Sequence, residues 1–479
     1  MYIRDCGYGR SKRSYGRDYG KRSILVLGVC ILLLDIWGIA TQVLAGTFAG
    51  NPIQETMPPV VSGSDAAYKV TIEAEPLDSI TEEAVAEETP QTQEEVMVER
   101  EYPLIVIDPG HGGEDNGCSR LNVDEKTINL QIGLALQERL MEMGYEVLMT
   151  RADDSYLTLQ ERVELANAAR ADAYISIHQN ACEEDAVSGI ETWYDGRDED
   201  KSSKRLAQLV HKDVLLYTKA QDRELWDTDA LYVIREAQMP SCLVETGFLS
   251  NTEDRKALLD EEYQARLVEG IASGIDLYFH PKTMYLTFDD GPSAETTCTI
   301  LDILKERNIK ATFFLVGENV RRHPEVAARI VEEGHTIGIH CDKHDYEQLY
   351  KSVDSYIEDF EKAYETVYDV TGVRVQLFRF PGGSINSYNK KVYQEIIDEM
   401  TARGYIYYDW NASLEDAVTK ATPDELIANG VESTLGRRRV VMLAHDIVPN
   451  TALCLEALLE QLPEYKMEPL NAEVEPIQF

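Results

Sequence analysis

Short apolar runs alternate with helical patterns over two successive stretches of this chain, and that alternation leaves few architectures open. From Tyr102 to about Phe279 the runs are Leu104–Ile107, Tyr145–Met149, Ala173–Ile177 and Leu243–Val244. Ile128, Ile132, Leu136, Leu140 and Met143 recur between them at helical spacing, which makes one apolar face. From about Lys282 to Leu470 the runs are Met284–Phe288, Thr312–Val316, Thr336–Ile339, Gln376–Phe380, Ile406–Tyr408 and Val440–Leu443, again separated by helical stretches. Strands alternating with helices imply an α/β fold. The first region predicts a mostly parallel sheet covered by helices. The second predicts a closed or nearly closed β/α barrel. Only a few residues around Pro281 join the two, so they should pack side by side.

At roughly 150 residues per domain, 479 residues exceed one compact core. A hydrophobic content of 44% excludes bulk disorder and a polytopic membrane protein. The balance of 46 basic against 85 acidic residues, a net charge of −39, repels phosphate and excludes a general nucleic-acid binder. Eight scattered cysteines without a CxxC pair argue against a disulfide scaffold and a cysteine zinc site. Residues 1–22 form a basic tail with Arg4, Arg10, Lys12, Arg13, Arg17, Lys21 and Arg22. The apolar run from Ile24 to about Gly46 is long enough to span a bilayer, although Asp35 and Gln42 weaken its second half. Basic residues before it would hold the N-terminus in the cytoplasm. The expectation is a single-pass anchor over 23–46 with the folded regions outside the membrane. The alternative is secretion after signal cleavage near Val43-Leu44-Ala45. Residues 47–100 read as an acidic linker with only Lys69 and Arg100 as cations, too poor in apolar surface to order itself. The folded domains then run over 101–280 and 281–479.

Histidines are scarce, nine in all, so each can be weighed. His111 sits in Asp108-Pro-Gly-His-Gly-Gly, directly after an apolar run. His178 ends another, in Ser176-Ile-His-Gln-Asn180. Glu125 opens a helical stretch, and Glu245 ends a third run in Val244-Glu-Thr-Gly. Strand ends and helix starts are where α/β folds gather their chemistry. Two histidines and a glutamate suit an open zinc site that keeps one position for water, and a further carboxylate can act as base. These motifs, with Ser188-Gly-Ile-Glu-Thr-Trp193 and Leu231-Tyr-Val-Ile-Arg235, closely resemble the zinc-dependent N-acetylmuramoyl-L-alanine amidases of type 3. The resemblance implies His111, Glu125 and His178 as Zn2+ ligands and Glu245 as the catalytic carboxylate. It also implies cleavage of the amide between the lactyl group of N-acetylmuramic acid and the first L-alanine of the stem peptide. Glu191 is either a second polar contributor or a structural residue.

In the second region Thr287-Phe-Asp-Asp-Gly-Pro292 follows one run and His340-Cys-Asp-Lys-His344 follows another. Paired aspartates can divide labour, one binding metal and the other taking a proton. His340 and His344 share a helix face or bracket a tight turn, so both can reach one ion beside Asp290. Arg379, in Arg-Phe-Pro-Gly-Gly383, is placed to orient a carboxylate. Asp409-Trp410 ends a strand and could support an imidazolium, and His445 is free to act as a general acid. In this order the motifs resemble the polysaccharide deacetylases of the NodB homology type. That resemblance implies a distorted (β/α) barrel and a divalent metal, Zn2+ or another transition metal, on Asp290, His340 and His344. It implies Asp289 as general base with Arg379 positioning it. Asp409 would tune His445, and His445 would protonate the leaving amine. Trp410, Leu443 and Pro381 would line the substrate pocket. Two departures bear on substrate fit: Gly382 stands where an aromatic is common after the proline, and Asn411 follows the tryptophan. Cys341 reads as a neighbour of the metal, and His211, His280, His323 and His335 as structural or surface residues.

Together these readings predict a membrane-anchored, outward-facing cell-wall hydrolase acting on peptidoglycan glycan strands and stem peptides; no protein partner follows from them. One rival makes the first domain a wall-binding module. Another gives the deacetylase chitin oligomers or acetylated xylan. The sugar losing its acetyl group is N-acetylglucosamine or N-acetylmuramic acid. Peptide removal followed by muramic deacetylation would place an amine and a carboxyl on one ring, able to close to a lactam. Asp290 points the other way: it stands where muramic deacetylases of sporulation carry Asn, so the motif looks more like the glucosamine type.

Overall fold

A computed structural model describes residues 100–197, 202–417 and 420–479. The basic tail, the apolar run and nearly all of the acidic linker lie outside the described residues. Among the described residues no helix is long and apolar enough to cross a membrane.

The first domain is built on β1 (Leu104–Pro109), a small hairpin of β2 (Ser119–Arg120) and β3 (Val123–Asp124), β4 (Glu146–Met149), β5 (Ala173–Asn180), β6 (Ile190–Tyr194), β7 (Asp222–Asp227) and β8 (Ser241–Phe248). Its main sheet has the order β4-β1-β5-β8-β6-β7. Every pairing is parallel except β6 against β8. Both faces are covered, which is why the central strands read as unbroken apolar runs. Ile105, Ile107, Ile175, Ile177 and Val244 turn to one core. Leu104, Val106, Tyr174 and Leu243 turn to the other. The helix Glu125–Glu142 buries Ile128, Ile132, Leu136 and Leu140 as the spacing predicts, and Met143 is its C-cap. Strands β6 and β7 carry no apolar run of their own: β6 lies between β8 and the edge strand β7, which reads Asp-Arg-Glu-Leu-Trp-Asp and is largely exposed.

The second domain carries β9 (Lys282–Asp289), β10 (Thr312–Val316), β11 (Thr336–Cys341), β12 (Leu377–Phe378), β13 (Ile406–Tyr407), β14 (Ala412–Ser413), β15 (Arg439–His445) and β16 (Tyr465–Met467). They form one parallel sheet, β13-β12-β11-β10-β9-β15-β14, with β16 on the first half of β9. The sheet curls, because Phe314, Leu377 and Tyr408 from one side meet Tyr285 and Val441 in a single inner cluster. It does not close. β13 and β14 are not paired, and the segment 471–479 occupies that opening. Asp409 N donates to the Ile477 carbonyl at 2.8 Å and Gln478 Nε2 to the Tyr407 carbonyl at 3.1 Å. The predicted barrel is therefore an open one, since strands of two residues cannot supply a continuous ladder on that side.

The helix Glu261–Phe279 runs almost directly into β9. The two domains touch across this joint. Arg205 donates to the carbonyls of Tyr278 (3.0 Å) and Pro463 (3.2 Å). Lys212 pairs with Glu464 at 2.7 Å.

Two candidate metal centres

In the first domain His111 follows the end of β1, His178 and Glu245 lie in the C-terminal halves of β5 and β8, and the first turn of a helix delivers Glu125. His111 follows β1 in the left-handed region, at φ 62. The chain before it passes so close to His178 that a Cβ on Gly110 would lie 2.1 Å from that ring, so only glycine fits. Buried Arg162 and Arg151 brace this turn. Arg162 donates to the His111 carbonyl at 2.7 Å and pairs with Asp108 at 2.7 Å; Arg151 donates to the Gly110 carbonyl at 2.9 Å. Burial alone would raise the Asp108 carboxyl, but Arg162 outweighs it and holds the group below the usual range.

Glu125 sits between the two imidazoles: Oε1 is 3.2 Å from His111 Nε2 and 2.9 Å from His178 Nδ1. All three donor atoms lie within 4.8 Å of one another. Burial opposes the charge on Glu125, yet its contacts with His111 and His178 hold the carboxyl well below the usual range. His111 Nδ1 is engaged by Asp115 at 2.8 Å, which turns Nε2 inward. An anionic oxygen flanked by two imidazole nitrogens, with Asp115 orienting the His111 ring, suits a divalent cation with an open position. Glu245 is the register partner of His178 on the adjacent strand, so both side chains emerge on the same face. Glu191 opposes Glu245 from β6, but it is held by Arg223 at 2.9 Å and Asn180 at 3.0 Å and reads as structural. Asp115 and the two arginines escaped the sequence reading. The only signal was an aspartate four residues after His111.

In the second domain Asp290 lies just past β9 with φ 76, and its Oδ1 is 3.3 Å from His340 Nε2 and 3.4 Å from His344 Nε2. The two histidines bracket the turn that ends β11. His340 Nδ1 donates to the Arg379 carbonyl at 2.9 Å, leaving Nε2 as the free donor. Asp290 Oδ1 is buried without a hydrogen-bond partner. A buried carboxylate oxygen facing two imidazole nitrogens fits a cation. Buried Cys341 is not among the grouped donors.

Arg379 is fully buried and donates to Asp289 Oδ1 (3.0 Å), Thr287 Oγ1 (2.6 Å) and the carbonyls of Tyr408 (2.7 Å) and Asp409 (3.1 Å). His445, at the end of β15, is the register partner of Asp289. Trp410 packs on Arg379, 5.7 Å from ring centroid to guanidinium. Leu443 is buried on the same side of β15 as His445, and the carbonyl of buried Pro381 accepts from Tyr350 Oη at 2.7 Å.

One assignment is corrected. Asp409 does not face His445: its carboxylate accepts from Ser384 N (2.9 Å), Ser384 Oγ (2.5 Å) and Phe479 N (3.0 Å). The carboxylate on His445 is Asp416, 2.8 Å from Nδ1. The reason is local. After β13 the chain makes the short strand β14 and turns at Glu415, φ 59, which carries Asp416 back under β15. Beside it Asp446 is buried against Gly291, accepts from Thr297 Oγ1 at 2.7 Å, and is pushed up to about 7 by burial. Of the remaining histidines, His211 links Thr192 and Asp222, His335 accepts from Ala311 N, His280 contacts Asp276, and His323 lies between two helices.

Residues 105–276 match the N-acetylmuramoyl-L-alanine amidase family, and residues 277–398 match the polysaccharide deacetylase family. The second match stops short of Asp409, Asp416 and His445. The uncharacterized protein YqiI of Bacillus subtilis is 40% identical over 37% of this chain and 86% of its own length. The N-acetylmuramoyl-L-alanine amidase LytC of Bacillus subtilis is 35% identical over 40% of this chain, which spans 39% of that relative. The peptidoglycan-N-acetylglucosamine deacetylase of Bacillus cereus is 32% identical over 40% of this chain and 70% of its own length.

Proposed function

The chain belongs to the N-acetylmuramoyl-L-alanine amidases through its first domain and to the polysaccharide deacetylases through its second; as a bifunctional cell-wall hydrolase, we propose, it cuts stem peptides from muramic acid and removes acetyl groups from N-acetylglucosamine of the same glycan. The observation that carries this reading is that each domain assembles a complete set of metal donors with a carboxylate beside it: Glu245 next to His178, and Asp289 next to Asp290.

Zn2+ in the first site, and Zn2+ or another divalent transition metal in the second, would polarise the amide carbonyl and acidify water. The remaining chemistry belongs to side chains. Glu245 takes the proton from the attacking water and returns it to the departing L-alanine nitrogen. In the second site Asp289 takes that proton, and Arg379 fixes the carboxylate by a hydrogen bond from its guanidinium. His445 stands across from Asp289 and donates a proton to the leaving amine, with Asp416 holding its ring. Trp410 and Leu443 flank the acetyl group in this reading. The glucosamine assignment is supported by Asp290 in the Asp-Asp pair and by the Bacillus cereus relative.

We further propose that residues 23–46 anchor the protein in the membrane with both domains outside, which places them against the wall. Retention of full-length protein in the membrane fraction after a high-salt wash supports anchoring; a mature N-terminus beginning at Gly46 rules it out. The function is tested by mass spectrometry of purified peptidoglycan digested with the metal-loaded protein. Loss of stem peptides together with loss of acetyl from glucosamine is expected. Acetyl loss from muramic acid, with a further loss of water, would favour the lactam route instead.

A further inference from the structure

We propose that Tyr346 and Tyr388 form a sugar-stacking subsite beside the second metal centre, holding the pyranose ring next to the one that loses its acetyl group. This rests on the deacetylase reading. His344 meets the Tyr346 ring edge-on, with centroids 4.9 Å apart at 87°. Tyr346 in turn stacks on Tyr388, 4.9 Å apart at 25°. Three rings thus lead from a metal-donor histidine to the surface, where Tyr388 is 54% exposed.

The loop that carries the exposed ring is braced by its own hydrogen bonds. Asn386 Nδ2 donates to the carbonyls of Pro381 and Gly383, both at 3.1 Å, while Asn386 Oδ1 accepts from Tyr388 N at 2.8 Å. Asn389 Nδ2 donates to the Ser384 carbonyl at 2.9 Å. A ring carried on a braced loop and stacked on Tyr346 loses less freedom on binding a ligand, so more of the contact is retained as affinity.

Gly382 explains why these tyrosines are needed. It stands where an aromatic side chain is common after the proline, and its φ is +76. A Cβ there would lie 3.0 Å from Tyr346 Cε1 and 3.2 Å from Tyr346 Oη. Tyr346, from the turn after β11, therefore occupies the space in which that side chain would begin. The aromatic wall is supplied from another element and extended outward by Tyr388.

The chemistry suits an uncharged ring of a glycan. An aromatic face carries negative charge density and attracts weakly positive C–H groups, which a pyranose presents on one side. A chain with net charge −39 repels the carboxylates of peptidoglycan at long range. Stacking holds the glycan without depending on that charge.

The test uses the full-length, metal-loaded protein and an oligomer of β-linked N-acetylglucosamine. Calorimetric binding is measured on an Asp289→Asn background, and deacetylation kinetics on the active protein. Tyr388→Ala should weaken binding and raise KM about tenfold, equivalent to about 1.4 kcal/mol. It should leave metal content, and kcat on a small acetylated substrate, unchanged. Tyr388→Phe should behave as wild type, because the ring acts and the hydroxyl does not. Unchanged binding and KM in Tyr388→Ala overturn the subsite, as does a Phe variant as weak as the Ala variant. Tyr388-dependent binding in a metal-loaded wild type that deacetylates nothing would overturn the deacetylase reading and leave the subsite standing.

Discussion

Asp416 Oδ1 lies 2.8 Å from His445 Nδ1 across a separation of 29 residues. Its other oxygen accepts from His445 N at 2.7 Å and Thr451 Oγ1 at 2.6 Å. Burial disfavours the imidazolium, but the Asp416 hydrogen bond and the nearby Asp289 and Asp290 outweigh it and raise His445 to about 9. A ring that keeps its proton at neutral pH suits the general-acid role proposed for His445.

Asp416→Asn removes the anion that holds this proton. The His445 pKa should fall, and the alkaline limb of deacetylase kcat/KM should move to lower pH. Asp409→Asn should leave the limb where it is. A pH–rate profile of both variants decides between the two aspartates, and a limb that moves only in the Asp409 variant would reverse the assignment.

The two activities should separate cleanly. Glu245→Ala is expected to stop peptide release and spare deacetylation, and Asp289→Asn to do the opposite. Each loss should be about 10²–10⁴-fold, the usual effect of removing a general base. Peptide release and free acetate, measured on one peptidoglycan sample, provide the check. A single change that silences both would mean a shared site.

Metal content should follow the donor sets. His111→Ala and His340→Ala should each lose one of two bound ions, and the double variant both, as read by elemental analysis of purified protein. Chelation should lower Tm, since an ion bound only by the folded state stabilises it by mass action. Two ions retained in either single variant would refute the donor assignment.

Asp446 makes a pH-dependent stability prediction. Burial pushes its carboxyl up to about 7, against about 3.9 when unfolded. Between those values the folded state holds a proton that the unfolded state has released, so this group subtracts stability as pH rises through the window. Asp446→Asn keeps an acceptor for Thr297 and should raise Tm of metal-free protein at pH 8. At pH 4 the gain should vanish. Thermal melts at the two values test it, and an equal gain at both would remove ionisation as the cause.

Much of the site was legible because the candidate metal donors sit in short segments in or just after strands and at a helix start. His111, Glu125, His178, Asp290, His340 and His344 converge as their motifs implied. Supporting contacts were not legible in the same way. Arg162 reaches Asp108 over 54 residues, and Arg379 reaches Asp289 over 90. Asp416 was missed because an aspartate directly before a tryptophan matched a motif more closely than one placed by a turn at Glu415.

What the sequence by itself determined is what repeats or is local: two α/β regions from alternating apolar runs, the apolar face of the helix Glu125–Glu142, and which His, Glu and Asp side chains make up the two candidate donor groups. These follow from side-chain periodicity and from residue types with few chemical uses. Tertiary structure alone decided the rest. It left the second sheet open between β13 and β14 and filled the gap with residues 471–479. It assigned Asp416 to His445, and it set Tyr346 against Gly382. Each of these depends on how far the chain turns between elements, and turn geometry is fixed by packing with distant segments rather than by the residues of the turn.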